Sequence, residues 1–282
     1  MSSGTRETPG RRWGRVIAAV VVVAAFALPL YVALVNVFKV NDQILRAPLA
    51  LPDPLSAENL TDALTRSDDL VWIGFFNSIV ISVATVVLVV PVAAVVAYWI
   101  VRRNSRATRI ALLILMAGLM VPPHVVLLPA VRVLDFLGIA FTFPGVVLFN
   151  VGGGLLSFGV FVYVGFMSVL PESLEDAAAI DGASPMQTLR HVVFPILRPA
   201  TATIAIFVGL WTWNDLITPL FLLGPAQGVT ITTGIFIALG QYNNDFGQMF
   251  GMMFIAALPI LIYYLLLQKH FTSGLLAGSS KG

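Results

Sequence analysis

Long apolar runs, almost free of charge, alternate along the chain with short polar segments. They cover residues 16–38, 71–101, 110–131, 136–171, 199–214 with a continuation past Asp215, and 246–268. Within each run the apolar residues are continuous instead of alternating with period two, which predicts helices and excludes the strands of a barrel. Each run holds about 20 residues, enough to cross roughly 30 Å of hydrocarbon. Backbone polar groups in lipid must be satisfied within the segment itself. The pattern therefore predicts an all-α integral membrane protein with six transmembrane helices.

One polar insert, residues 171–199, separates the fourth run from the fifth. Pro171 suits a first helical position, and Glu172, Glu175 and Asp176 fall near the helix start, where the macrodipole favours carboxylates. Leu170, Leu174, Ala177 and Ala178 recur at helical spacing. Gly182 is a helix-ending residue, free to take a positive φ. Ser184, Pro185 and Gln187 then form a second start with a capping box. Met186, Leu189 and Val192 or Val193 supply its apolar face, and Pro195 is expected to end it. Two short helices meeting at a glycine turn are predicted between spans 4 and 5.

Composition agrees with this class: of 282 residues, 58% are hydrophobic and 11% charged, with mean hydropathy +0.93. With the N-terminus in the cytoplasm, 12 of the 16 Lys and Arg residues lie inside, and nine of the 14 acids lie outside. The positive-inside rule thus predicts both termini and the 171–199 insert on the cytoplasmic side. The Arg102–Arg109 cluster then reads as a topology anchor, and the pI of 9.1 requires no nucleic acid. There is no cysteine, which removes disulfides and thiol chemistry. The basic N-terminus and Ala25-Phe26-Ala27 raise the reading of a cleavable signal peptide, but the apolar run continues to Phe38 and favours a retained anchor. Residues 1–12 read as a disordered arm, 13–268 as the spanning domain and 269–282 as a tail. The outer segment 39–70 carries Pro48, Pro52, Pro54 and a short helix from Ser56, its expected N-cap.

Several intramembrane positions hold chemistry. Val121-Pro122-Pro123-His124 predicts a break late in span 3, with His124 either a pore-lining group or a helix-end residue bonded to a carbonyl. Gly152, Gly153, Gly154, Ser157, Gly159 and Gly165 suit close helix packing in span 4. Span 5 carries Trp211-Thr212-Trp213-Asn214-Asp215, with Asp215 about 24 Å along a helix from Pro199. That cluster is either an interfacial belt or a sugar-facing site, with tryptophan stacked on a pyranose and Asn214 and Asp215 bonding hydroxyls. Residues 229–240 are compatible with a re-entrant segment. No GxxxxGK[ST] loop exists: Lys39, Lys269 and Lys281 all lack a preceding Gly and a following Ser or Thr. His124, His191 and His270 fit no hydrolase or metal motif, so no catalytic or metal residue is assigned. Midplane acids and inverted repeats of an ion-coupled carrier are not evident.

The insert also resembles a known family. Asp176-Ala177-Ala178, three residues, Gly182, nine residues, Val192, one residue, then Phe194-Pro195 is similar to the EAA loop of permease subunits in binding-protein-dependent ABC importers. Asp176 stands for Glu, Val192 for Ile and Phe194 for Leu. The form LEDAAAIDGAS and the tail HFTSGLLAGSSKG resemble the carbohydrate-uptake branch, of the maltose-importer second-permease type. The Trp-Asn-Asp string followed by Pro219 also resembles that branch. The resemblance implies a prokaryotic inner-membrane permease without catalysis of its own. Its partners would be a second homologous permease, two ATPase subunits carrying ATP and Mg, and an extracytoplasmic solute-binding protein. It further implies that Glu172, Glu175, Asp176, Ala177, Ala178, Asp181, Gly182, Ala183 and Pro195 form the ATPase-coupling surface, with Gly182 setting its angle and Asp176 a polar contact. Trp213, Asn214 and Asp215 are the substrate-path candidates. The expected cargo is a sugar or oligosaccharide; glycerol phosphate, a polyol, an amino acid or a peptide are the alternatives.

Overall fold

The structure, a computed structural model, describes residues 9–241 and 245–279. Among these there is no strand. The helices are α1 (Pro9–Val37), α2 (Asn41–Arg46), α3 (Glu58–Leu64), α4 (Leu70–Arg103) and α5 (Arg106–Met120). Next come α6 (Leu127–Phe136), α7 (Phe143–Asn150), α8 (Leu156–Met167), α9 (Ser173–Ile180) and α10 (Pro185–Thr188). The last five are α11 (Phe194–Ile196), α12 (Arg198–Asn214), α13 (Ile217–Leu222), α14 (Ile231–Gln241) and α15 (Phe246–Ser279).

Two compact units divide the chain: the described residues up to Ser67 with Ala238–Ile255, and Asp68–Ile237 with the chain from Ala256 onward. In the first unit, α1 is exposed from Trp13 to Tyr31, half-buried at Val32 and Ala33, and buried from Val35 to Val37. A helix end needs partners for its last carbonyls. Asn59 supplies one, donating through Nδ2 to the carbonyls of Val37 (2.9 Å) and Lys39 (2.7 Å). The Lys39 ammonium, 1% exposed, donates to Asn36 Oδ1 at 3.0 Å and to the carbonyls of Ala47 and Pro48. Burial lowers its pKa below the ordinary lysine value. The start of α15 closes on the same residue: a Cβ on Gly251 would lie 2.4 Å from the Asn59 carbonyl oxygen. Helix α3 begins at Glu58, two residues after Ser56, whose hydroxyl accepts the Glu58 N–H and stands just outside the N-cap expected for it.

The second unit is built around α4, which packs along α8 and α12 and against α5 and α7. Its inner face is Val89, Ala93, Ala94, Ala97 and Ile100, buried with Val160, Tyr163, Met167, Ile204 and Val208. Gly159 lets α8 approach α4 closely, since a Cβ there would sit 2.8 Å from that of Ala93. Small residues of this kind let helices touch where lipid offers no solvent-driven reason to associate. The Tyr163 hydroxyl meets Thr201 Oγ1 at 2.8 Å, tying α8 to α12. By contrast, a Cβ at Gly152 or Gly154 would meet nothing within 4 Å, so this part of the glycine run does not pack helices.

Among the described residues, four helical stretches are long and apolar enough to cross a membrane: Trp13–Val37, Leu70–Arg103, Phe143–Met167 and Phe246–Leu266. The remaining two expected spans are bent. Arg106–Met120 and Pro123–Phe136 meet at 94°, and Pro185–Ile196 and Arg198–Asn214 at 79°. The count is therefore four to six. The break at Val121 and Pro122, both extended, follows from two successive prolines that cannot donate to the preceding turn. It ends α5 well short of the expected 110–131 run. Residues 224–241 form a 3₁₀ turn (Pro225–Gln227) and α14, strapped to α4. Asn77 Nδ2 donates to the carbonyls of Gln227 and Val229 at 2.7 and 2.8 Å, and Ser78 Oγ accepts the Ile231 N–H at 2.9 Å.

The α4–α8 contact is testable. Gly159→Leu overpacks it and should lower stability by about 2 kcal/mol, whereas Gly152→Ala, with open space around it, should change little. Thermal unfolding of the two variants in mild detergent measures the difference.

Candidate functional site

Two features stand out in the second unit, one at each end of α8 and α12. The first is the 171–199 turn. Helix α9 ends at Ile180 and Gly182 takes φ +81°, while Gly182 and Ala183 return their N–H groups to the carbonyls of Ala179 and Ala178, both at 3.0 Å. That pair of bonds satisfies the last carbonyls of α9 and fixes the angle at which the chain leaves. Ser184 then caps α10: its hydroxyl accepts the Gln187 N–H at 3.4 Å, and Gln187 Oε1 accepts the Ser184 N–H at 2.8 Å. One end of the turn is thus locked by backbone bonds and the other by a capping box. Leu189 and Val193 are buried beneath it. Pro195 does not end the helix: Leu189–Val193 is a wide i→i+5 turn that absorbs the missing N–H, and the bend falls at Leu197, ahead of α12.

Glu172, Asp176, Ala177, Asp181, Gly182 and Pro195 are exposed on this turn, while Ala178 and Ala183 are half-buried. Met186, expected on the apolar face, is exposed instead, as is Ile180 at 87%. Glu175 departs from the other carboxylates, turning inward against α4, where it meets Arg102 and Tyr98.

The second feature is a cavity of about 790 Å³ at the far ends of α8 and α12. Three interruptions of helix converge on it. Val121, Pro123 and His124 come from the break after α5; Gly153, Gly154 and Leu155 from a kink before α8, where Gly154 takes φ +118°; Asn214, Asp215, Leu216 and Ile217 from the end of α12. Non-helical backbone at membrane depth is tolerated where it lines a cavity, and here each interruption does so. Trp211 lines the cavity, its ring edge-on to that of Phe158 with centroids 4.8 Å apart and tilted against that of Phe207 at 5.6 Å. Asn150 and Thr212, 7% and 8% exposed, add polar side chains to the lining, and Thr212 Oγ1 is buried with no hydrogen-bond partner among the described residues. Asp215 also accepts the Thr218 N–H at 3.1 Å, which holds its carboxylate at the start of α13. His124 lies in the 3₁₀ turn Pro123–Val126 and faces the cavity. An aromatic face beside amide, hydroxyl and carboxylate groups can stack on and hydrogen-bond a polyhydroxylated solute.

Of the three path candidates, Asn214 and Asp215 line this cavity and Trp213 does not. Trp213 is 7% exposed, donates through Nε1 to the Ala256 carbonyl at 3.2 Å and packs edge-on against Phe75. Trp211 lines the cavity instead. Helical period alone separates them: Trp211 and Asn214, three apart, share a face, and Trp213 points away. Asn150 and Phe158 had no such sequence signal, because they reach the cavity from either side of a kink.

Comparison with known proteins agrees with this architecture. Residues 89–274 match the model of the family described as binding-protein-dependent transport system inner membrane component. The multiple sugar-binding transport system permease protein MsmG of Streptococcus mutans is 34% identical over 262 residues, covering 90% of this chain and 91% of that one. The probable starch degradation products transport system permease protein AmyC of Thermoanaerobacterium thermosulfurigenes is 30% identical, again over 90% and 91%. Among solved structures, a chain of a bacterial ABC transporter that imports the acidic polysaccharide alginate superposes with TM-score 0.80 at 19% identity, over 94% of this chain and 99% of that one. A second, of the alginate transporter in complex with its alginate pentasaccharide-bound periplasmic protein, gives 0.68 at 15% identity over 92% and 93%. The chain belongs to the family of binding-protein-dependent transport system inner membrane components.

Proposed function

We propose that this chain is the permease subunit of an ATP-driven importer for a sugar or oligosaccharide, that its cavity is part of the translocation path, and that its 171–199 turn receives the force of a separate ATPase. One observation carries the reading: α8 and α12 each run from the turn to the cavity. Displacing the turn therefore moves two of the cavity walls. Because the helices are rigid and the turn is closed at one end by backbone bonds and at the other by a capping box, motion is passed along and not absorbed. In the cycle proposed here, ATP binding on the partner closes an ATPase dimer, the turn is pushed as a lever, and the cavity opens alternately to the two sides of the membrane.

Topology follows the same reading. The two bent pairs count as spans, giving six, with both termini and the turn in the cytoplasm as the distribution of Lys and Arg supports. The remaining subunits are a second homologous permease, two ATPase chains and a solute-binding protein on the outer face. Ile180, Met186 and Leu174, exposed on the turn, supply apolar contacts to the ATPase, with Asp176 and Asp181 as polar ones. Sugar is favoured as cargo by the names of the relatives and by the Trp211 face with its amide and hydroxyl neighbours. Asp215 is the one Asp, Glu, Lys or Arg among the described residues lining the cavity, and its charge weighs against an anionic solute such as glycerol phosphate.

Three outcomes test this. Purification of the tagged chain in mild detergent should recover an ATPase and a second permease by mass spectrometry; recovery of this chain alone, even after gentle crosslinking, overturns the reading. Gly182→Val forces a β-branched residue into the left-handed region at a cost of about 1–2 kcal/mol; it should abolish uptake while membrane insertion, followed by fractionation, is unchanged. Trp211→Ala and Asp215→Asn should lower sugar uptake about fivefold or more, in line with losing roughly 1 kcal/mol of contact each. ATPase association should survive both. Equal uptake by the wild type and Trp211→Ala would remove the cavity from the path.

A further inference from the structure

One carboxylate of the turn is withdrawn from the surface that an ATPase would meet. The Glu175 side chain is 14% exposed, and its Oε1 lies 2.5 Å from Arg102 Nη2 and accepts from Arg102 Nε at 2.6 Å. Its other oxygen accepts from the Tyr98 hydroxyl at 2.9 Å. Arg102 is itself 17% exposed, and Glu172 stands at its outer edge, 3.9 Å away and 79% exposed. Charge-assisted bonds in such an enclosed place are short and strong, and leaving one partner unpaired there is costly. Tyr98 and Arg102 are four residues apart on the last turns of α4, so one face of that helix delivers both groups to one carboxylate.

We propose that Tyr98, Arg102 and Glu175 form a latch that makes α9 and α4 move together, so that they act as positioning residues for the transport cycle instead of contacts to the ATPase. This rests on the reading of the 171–199 turn as the surface on which the ATPase acts. The chain itself joins the turn to α8 at one end and to α12 at the other, but α4 is remote, with Arg102 73 residues before Glu175. Yet α4 is the helix against which both α8 and α12 pack, and it cannot lag behind them without opening the Gly159–Ala93 contact. A side-chain tether at the point of force removes that mismatch: the lever and the helix at the centre of the bundle are displaced as one body. Glu172, at the outer edge of Arg102, and Asp176 both stay exposed on the surface of the turn.

The chain has no cysteine, so labels can be placed without background. With Ser173→Cys on α9 and Val95→Cys on α4 carrying spin labels, the distance between them is measured in the complete complex, without nucleotide and trapped with ATP and Mg. In the otherwise unaltered chain that distance should be the same in both states. In Glu175→Gln and in Arg102→Gln it should shift or broaden by roughly 2–5 Å on trapping. The exchange Arg102→Glu with Glu175→Arg should restore the narrow, invariant distribution, and Tyr98→Phe, which keeps shape and removes one bond, should broaden it partially. An invariant distance in all of these variants overturns the latch, as does a charge exchange that behaves like the single variants. Loss of the ATPase from Glu175→Gln overturns it too, since the residue would then be a contact. If the unaltered chain binds no ATPase, it is the functional reading that falls.

Discussion

Helices in hydrocarbon gain nothing by hiding apolar side chains from an equally apolar solvent, so their association depends on how closely their backbones can approach. In this protein that closeness is set where Gly159 of α8 meets Ala93 of α4. From that contact α4 becomes the common neighbour of α8 and α12, and the bundle has a fixed centre. Buried hydroxyls add direction: Tyr163 to Thr201 between α8 and α12, and Tyr263 to the Ala205 carbonyl between α15 and α12.

The same constraint explains where the bundle is irregular. Backbone groups that leave a helix inside lipid must find partners or water. The proline break at Val121–Pro123, the glycine kink at Gly153–Gly154 and the end of α12 at Asn214 occur in three separate parts of the chain, and all three face one cavity. Irregularity is thus concentrated at one place, and regular helix connects that place to a turn closed by backbone bonds at one end and a capping box at the other. A rigid turn, two rigid connectors and an irregular cavity are the mechanical parts that alternating exposure of a solute needs.

The turn was legible almost residue by residue because its signals are local. Gly182 at a positive φ, Ser184 with Gln187 in a capping box and the acidic start of α9 each depend on neighbours within five residues. Pro195 misled because a proline is read as a stop when its missing N–H is assumed to be needed, and the wide turn before it removes the need. The glycine run in span 4 invited a packing role for the wrong members: Gly159 packs, whereas Gly153 and Gly154 bend the chain. Trp211 and Trp213 are near neighbours in sequence, yet 100° per residue puts them on opposite sides of α12, and only Trp211 lines the cavity of about 790 Å³.

The sequence by itself determined what depends on composition and on short-range geometry: a helical membrane protein, the positions of its apolar runs, the capped double-helical turn, and a resemblance strong enough to name the family. It also marked the prolines and glycines at which helices would fail. Tertiary structure decided which of those failures share a cavity, that Trp211 with Asn150 and Phe158 lines it, and that Glu175 faces Arg102 and Tyr98 while its neighbours face outward. The physical reason is distance along the chain. Caps and turns are closed by residues a few positions apart, whereas a cavity wall and a buried ion pair join positions tens of residues apart, and no local pattern encodes which remote side chain will arrive opposite.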